Sequence, residues 1–141
     1  MINAIYNKDV LRLAADITCI GTLDNSDASA SLRSPLCGSS MNVTINIRNG
    51  RIIAYNQEIK ACALGQASAS VMAKAVIGKS KSDIQSIRDE IQEMLVKGTL
   101  ITEGEWSALI ALAPAKEVKS RHGAILLPFD AVIKALTESD K

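Results

Sequence analysis

The pair Asn49-Gly50 constrains this chain most, because it joins two runs in which apolar and polar residues alternate. Asn-Gly is the preferred pair for a two-residue type I′ turn, in which both residues must tolerate positive φ. A hairpin is therefore predicted, and its turn fixes the register. The predicted cross-strand pairs are Arg48–Arg51, Ile47–Ile52 and Ile45–Ala54. One face of the hairpin then carries the apolar residues that helices must cover: Val43, Ile45, Ile47, Ile52 and Ala54.

Short strands precede helices along the chain. Residues 18–23 read as a short strand, and the polar residues 24–35 read as a surface loop. Helices are predicted after the caps Asn7, Ser82 and Thr102, the last two paired with Gln85 and Glu105 in capping boxes. Further helices are predicted over 65–78 and over a final segment with one apolar side: Ile125, Phe129, Val132, Ile133 and Leu136. The expected fold is α+β, a three-stranded antiparallel sheet packed on one face by several α-helices.

Composition excludes several classes of protein. The 141 residues suit a single domain, 1–141, with 48% apolar and 22% charged residues. A net charge of +1 and 3% aromatic residues give no basis for a nucleic-acid or membrane-surface binder. No export signal and no apolar run of transmembrane length are found. Three cysteines, an odd number, argue against a disulfide framework. A reducing, cytoplasmic compartment is expected.

Two of the cysteines are expected to meet. Extending the hairpin register outward sets Cys37 opposite Cys62, so both leave the hairpin at its open end. Two neighbouring thiols are within reach of one metal ion or cluster. Cys62 also precedes the 65–78 helix, whose N-terminal partial positive charge favours a thiolate. The alternative is that both are small core residues that adjoin by chance. Cys19 is expected to be a packed or half-buried thiol.

Three stretches resemble the IscU/SufU/NifU-N family of iron–sulfur cluster assembly scaffolds. They are "SPLCGSSMNVTINIRNGRI", "ACALGQASASVMAKAVIGKS" and "SRHGAILLPFDAVIKAL". The resemblance covers nearly the whole chain and implies a small antiparallel sheet with helices on one side, a SufE/NifU-like fold. That agrees with the fold expected from the residues themselves.

The resemblance implies a site of three cysteines and an aspartate, which this chain only partly supplies. The first two cysteines correspond to Cys37 and Cys62. Ser39 stands at the aspartate position. The third cysteine falls on Ala124 or Gly123, depending on the alignment, so that thiol is missing. A 2Fe–2S cluster or a structural zinc ion needs four ligands. His122, the only histidine, is a candidate metal ligand or an ordinary surface residue.

The function implied is assembly of iron–sulfur clusters. Cys37 and Cys62 would hold iron, sulfur or a transient 2Fe–2S cluster, and the protein would not be an enzyme in its own right. The implied partners are a cysteine desulfurase and the apo-proteins that receive clusters. Two thiols per chain suggest a homodimer bridged by a cluster, or His122 with an external thiol such as glutathione. The alternatives are a zinc-bound sulfur acceptor and a docking module whose site has decayed. Lys119 and Arg121 would steady thiolate charge, contact a partner or form only a solvated basic patch.

Overall fold

The computed structural model describes residues 6–35, 38–101 and 104–139. Three antiparallel strands form one sheet in the order β1-β2-β3. These strands are β1 Ala28–Arg33, β2 Ser40–Arg48 and β3 Arg51–Lys60. Within these ranges, four α-helices pack against the sheet or against one another: α1 Lys8–Ala15, α2 Ala63–Ala75, α3 Lys81–Lys97 and α4 His122–Ser139. Two 3₁₀ segments, Ser107–Glu117 and Lys119–Arg121, lead into α4. The α+β fold with a three-stranded antiparallel sheet is confirmed.

The Asn-Gly turn forms as predicted. Asn49 and Gly50 have φ values of 54° and 75°, the left-handed conformation that a type I′ turn needs at both positions. The two pairs next to the turn, Arg48–Arg51 and Ile47–Ile52, also match the prediction. This turn is local in sequence, so tertiary packing does not override it.

Beyond these two pairs the predicted register is wrong by one residue. Ile53 is an extra residue on β3, and Ile45 pairs with Tyr55 rather than with Ala54. This β-bulge reverses the alternation of faces, so that Tyr55 and Gln57 are buried while Ala54 is only half-buried. Gln57 is tolerated in the core because Tyr55, Thr18 and Ala69 satisfy its side-chain amide.

The first strand lies later than predicted. Residues 18–23 form no strand and only an isolated bridge between Ile20 and Gln57. Cys19 has a φ of 60°, which interrupts an extended run, and it is exposed rather than packed or half-buried. The strand β1 instead forms within the predicted surface loop 24–35. Its alanines and serines show no clear alternation of apolar and polar residues, although Ala30 is buried and the flanking serines are exposed.

The helices cover one face of the sheet and enclose the core. Asn7 caps α1 through a hydrogen bond from Val10 N, as predicted. The capping box of α3 is formed by Ser80 and Asp83, not by Ser82 and Gln85. Ser80, two residues before Ser82, is the N-cap because the chain leaves the extended conformation there. The apolar sides predicted for α3 and α4 are confirmed, apart from Ile133, which is only half-buried. The buried residues are Ile84, Ile87, Ile91, Met94, Ile125, Phe129, Val132 and Leu136.

The segment before α4 differs from the helix predicted after Thr102. Thr102 lies outside the described residues, so its predicted capping box with Glu105 stays a prediction. Glu105 forms an ion pair with Lys79 at 2.6 Å. A 3₁₀ segment follows, with Leu109 buried and Ile110 exposed. Among the described residues, no helix has the length and apolar character needed to cross a membrane.

Candidate functional site

The start of α4 lies between the two segments that carry the predicted site cysteines. A Cβ placed at Gly123 would lie 2.5 Å from Ser34 Oγ, in the loop that leads to Cys37. A Cβ placed at Gly65, in the first turn of α2 after Cys62, would lie 3.5 Å from Ala124 Cβ. Two consecutive residues of α4 therefore contact the two segments, which brings the segments to one end of the sheet.

The loop before β2 folds back on itself. Ser34 N donates a hydrogen bond to Ser39 O at 2.7 Å, and Gly38 N donates to Ser34 O at 2.9 Å. Gly38 has a φ of 72°, a conformation that favours glycine. Ser39, at the position of the family's aspartate, is buried. Cys37, the first predicted site residue, lies outside the described residues, so its role stays a prediction.

Cys62 occupies the N-cap position of α2, as its predicted place before a helix requires. Its backbone is extended, with φ −68° and ψ 173°, and its side chain makes no capping hydrogen bond. The thiol is half-buried. It lies two residues beyond Lys60, which ends β3 opposite Ser40. Because of the bulge, the observed register continued outward would set Cys62 opposite Gly38, the residue after Cys37, and not opposite Cys37 itself.

The Tyr6 hydroxyl is acted on by both Cys62 and Arg121. Burial raises the pKa of the Tyr6 hydroxyl, and negative charge on Cys62 raises it further. The Arg121 guanidinium acts in the opposite direction and lowers this pKa, while a side-chain hydrogen bond to Cys62 raises it. The Tyr6 hydroxyl thus lies within electrostatic reach of both Cys62 and Arg121.

His122, the first residue of α4, is half-buried, and one of its two ring nitrogens is hydrogen-bonded. Its Nε2 lies 2.9 Å from Ala115 O. A carbonyl oxygen only accepts, so Nε2 carries the hydrogen, and Nδ1 is the nitrogen left for a metal. His122 therefore ties α4 to the preceding 3₁₀ segment. A ligand role for His122 stays a prediction that rests on Nδ1.

Cys19 belongs to a different part of the molecule. Its backbone carbonyl accepts a hydrogen bond from Gln57 N at 2.8 Å, in the middle of β3. Gln57 and Cys62 are five positions apart, which is roughly 16 Å of extended chain. The exposed Cys19 thiol is thus a natural control for experiments on the other two cysteines.

The chain's own residues do not fit a complete four-ligand metal site. Across residues 6–35, 38–101 and 104–139, no three His, Cys, Asp or Glu side chains group closely enough to hold a metal ion. Ser39 is neutral, and Gly123 and Ala124 offer no ligand atom. Cys37 and Cys62 with His122 Nδ1 would supply three ligands at most, one fewer than zinc or a cluster requires.

Sequence reasoning did not find Tyr6 or Ser34. Tyr6 precedes the cap of α1, and no local pattern connects it with a residue in a helix more than fifty positions later. Ser34 adjoins the Cys37 loop, and that proximity in sequence is the one signal that could have marked it. Both contacts arise from packing between distant segments.

Comparison with known proteins places this geometry in a family. Residues 5–117 match the model of the NifU-like N terminal domain. A NifU-like protein (N-terminal) from Brucella abortus has a crystal structure with a TM-score of 0.93 and 39% sequence identity, covering 99% of this chain and 96% of that one.

Two curated relatives are named iron-sulfur cluster assembly scaffold protein IscU. The protein from Thermotoga maritima is 24% identical over 132 residues, which cover 94% of this chain and 92% of that protein. The protein from Streptococcus pyogenes serotype M1 is 28% identical over 119 residues, which cover 84% of this chain and 74% of that protein. This chain therefore belongs to the NifU-like N-terminal domain family, which includes iron–sulfur cluster assembly scaffolds.

Proposed function

We propose that this protein is an iron–sulfur cluster assembly scaffold that holds iron and sulfur, or a transient 2Fe–2S cluster, through Cys37 and Cys62. The observation that carries the proposal is the contact of Gly123 with Ser34 and of Ala124 with Gly65. It supports the approach of the two cysteine-bearing segments at the start of α4. The cluster is cargo in this proposal, received and handed on, and the chain performs no catalysis of its own.

Several features support Cys62 as a sulfur or iron ligand. Its side chain is not used as the helix cap, and the free N–H groups of the first turn of α2 favour negative charge on the sulfur. The Tyr6 hydroxyl lies near the Cys62 thiol, and the Arg121 guanidinium acts on the same hydroxyl. A thiolate is the form that binds iron or accepts sulfur.

The ligand set must be completed from outside one chain, since Cys37 and Cys62 supply two of the four ligands of a cluster. A second copy of the chain would supply two more thiolates in a cluster-bridged dimer. Alternatively, His122 and an external thiol would complete the set. The partners that the family implies are a cysteine desulfurase, which donates sulfur, and apo-proteins, which accept the cluster in the cytoplasm.

The proposal is tested by anaerobic reconstitution of the full chain with iron and sulfide. Visible absorbance and iron content are measured for the wild type, Cys37→Ser and Cys62→Ser, with Cys19→Ser as matched control. We expect the chromophore to survive only in the wild type and the control. Sizing of the coloured species separates a dimer from a monomer. Equal visible absorbance in all four proteins would refute the proposal. About one zinc ion per chain in protein purified without added metal would favour the zinc-bound sulfur acceptor.

A docking module without a cluster is the second candidate, and the packing at α4 favours it. Ser34 Oγ fills the space that a side chain at position 123 would need, and Ala124 is fully buried. The fold could then bind assembly partners although no metal is held. The double variant Cys37→Ser/Cys62→Ser separates the candidates: partner binding and cellular effect survive in a docking module and are lost in a scaffold.

A further inference from the structure

The strand β1 lies at one edge of the sheet and bonds only to β2. Alternate residues of an antiparallel strand direct their N–H and C=O groups to the neighbouring strand. Ser34 N donates to Ser39 O, a pair that continues the register of β1 and β2, so the even-numbered residues of β1 bond to β2. Ser29, Ser31 and Arg33 therefore direct their N–H and C=O groups away from the sheet. All three residues are exposed.

The opposite edge of the sheet, along β3, is covered by the chain itself. Residues 78–80 bond to β3 at Arg51 and Ile52, and residues 19–21 bond to it at Gln57. Within the part of the chain that the structure describes, no segment pairs with the outer edge of β1 in this way. The edge of β1 is therefore the place where a further strand can be added.

Two cations flank this edge, one from each face of the sheet. Lys134 belongs to α4, which packs on the face of β1 that carries buried Ala30, and its Nζ donates to Ser31 O at 3.1 Å. The side chain of Arg33 lies on the opposite face, with those of the exposed serines. Arg33 and Lys134 are both exposed, and neither belongs to an ion pair among the described residues. The edge thus offers main-chain groups and positive charge together.

We infer that the edge of β1 binds an extended segment of a partner protein that carries carboxylates. The segment adds a fourth strand to the sheet through main-chain bonds to Ser29, Ser31 and Arg33. Neighbouring residues of a strand lie on opposite faces, so two adjacent acidic residues meet Arg33 on one face and Lys134 on the other. Lys134 exchanges the Ser31 carbonyl for a carboxylate, which frees this carbonyl for a main-chain bond. The inference depends on neither a metal nor the cysteines.

Charge favours an acidic segment over a second copy of this chain. Antiparallel pairing of two β1 edges about Ser31 would bring the Lys134 ammonium groups of both copies to the centre of the new ladder. Like charges repel at such a separation. Each Lys134 would also lose its bond to Ser31 O without gaining a carboxylate. An acidic segment instead forms two ion pairs at the same place.

The test uses three acetylated and amidated peptides, titrated into the full chain and followed by heteronuclear NMR of its backbone amides. Their sequences are Thr-Val-Glu-Glu-Val-Thr, Thr-Val-Gln-Gln-Val-Thr and Thr-Val-Lys-Lys-Val-Thr, which differ only at the two central residues. We expect the Glu peptide to bind with about fivefold lower Kd than the Gln peptide at low ionic strength, the effect of two exposed ion pairs. The Lys peptide should bind most weakly. The amide signals of Ser29, Ser31 and Arg33 should shift most, and salt at about 1 M should remove most of the preference.

Three variants locate the effect. Arg33→Glu/Lys134→Glu should reverse the order of the Glu and Lys peptides, while the amide spectrum shows the fold retained. Lys8→Glu/Arg48→Glu makes the same change in net charge at exposed positions outside β1 and α4 and should keep the wild-type order. Ser31→Pro removes an N–H that points away from β2, a change that edge strands tolerate, and should abolish binding of the Glu peptide.

Equal binding of the three peptides, no binding of any of them, or shifts centred away from β1 would overturn the inference. Shifts of the Ser29, Ser31 and Arg33 amides that depend on protein concentration alone would also overturn it and assign this edge to a second copy. Each of these results leaves the scaffold function standing, because that function depends on Cys37 and Cys62.

Discussion

A Cβ at position 123 would lie 2.5 Å from Ser34 Oγ, so Gly123 is the residue that lets α4 begin against the loop leading to Cys37. Ser34 is buried, and its backbone is held by hydrogen bonds to Ser39 and Gly38. This contact joins the last helix to the loop, and Ala124 joins the same helix to the segment after Cys62. The candidate site therefore depends on close packing at two consecutive residues.

Gly123→Ala is expected to destabilise the protein by about 1–3 kcal/mol, the usual cost of overpacking a buried site. At an unhindered helical position the same change would instead stabilise by about 1 kcal/mol through helix propensity. The contact with Ser34 is the reason why Gly123→Ala should destabilise the protein rather than stabilise it. The measurement is the free energy of unfolding in urea.

Ser34→Ala supplies the control for this prediction. It removes Oγ and leaves Ser34 Cβ 3.6 Å from the added methyl group, an ordinary van der Waals contact. Gly123→Ala should therefore cost less in the Ser34→Ala background than in the wild type. A double-mutant cycle with no coupling between the two positions would show that they do not contact each other as described.

Gln57→Leu should destabilise the fold by about 2–4 kcal/mol, because it leaves buried polar groups without partners. The Gln57 amide donates to Thr18 O at 3.0 Å and to Ala69 O at 3.2 Å, and it accepts from Tyr55 at 2.7 Å. Thermal unfolding provides the measurement. Gln66→Leu is the matched control, since half-buried Gln66 makes one side-chain bond, to Ala61 O. Equal losses in the two variants would count against a special role for Gln57.

Stability should fall above pH 10 because of Tyr55. Burial raises the pKa of Tyr55 well above its ordinary value, and charge on Cys19 raises it further. The folded state keeps the proton while the unfolded state loses it. The contribution is therefore complete below the unfolded pKa and is lost as pH rises towards the folded one. The loss approaches about 1.4 kcal/mol per pH unit for one proton.

The free energy of unfolding between pH 8.5 and 11 measures this effect. Tyr55→Phe lacks the titrating group and should show a shallower decline, with Tyr6 responsible for part of the remainder. The two proteins are compared by slope, because Tyr55→Phe also removes the hydrogen bond to Gln57 and lowers stability at every pH. Parallel profiles would contradict the assignment of the alkaline loss to Tyr55.

Local signals predicted much of the fold. The turn at Asn49-Gly50, the cap at Asn7 and the apolar sides of α3 and α4 depend on residues within a few positions of each other. The bulge at Ile53 depends on the fit of Tyr55 and Gln57 into the core, so the hairpin pattern alone could not reveal it. The strand β1 was missed because serine and alanine have weak strand preference and pairing with β2 decides its conformation.

In the candidate site, too, local features could be predicted and long-range contacts could not. The position of Cys62 before a helix follows from local pattern and is confirmed, whereas the contacts of Tyr6 with Cys62 and of Ser34 with Gly123 join segments far apart in the sequence. The register argument that set Cys37 opposite Cys62 is wrong by one residue. The start of α4 gives the stronger reason for expecting the two thiols to be neighbours, and that nearness remains a prediction.

The most direct test of that nearness is reaction of the native, full-length chain with dibromobimane, a short reagent that bridges two thiols, followed by peptide mass mapping. We predict one bridge, between Cys37 and Cys62, with Cys19 carrying only a separate adduct. Cys19→Ser should leave the bridge intact, and Cys62→Ser should abolish it. Separate adducts on all three cysteines, or a bridge that includes Cys19, would contradict a shared site for Cys37 and Cys62.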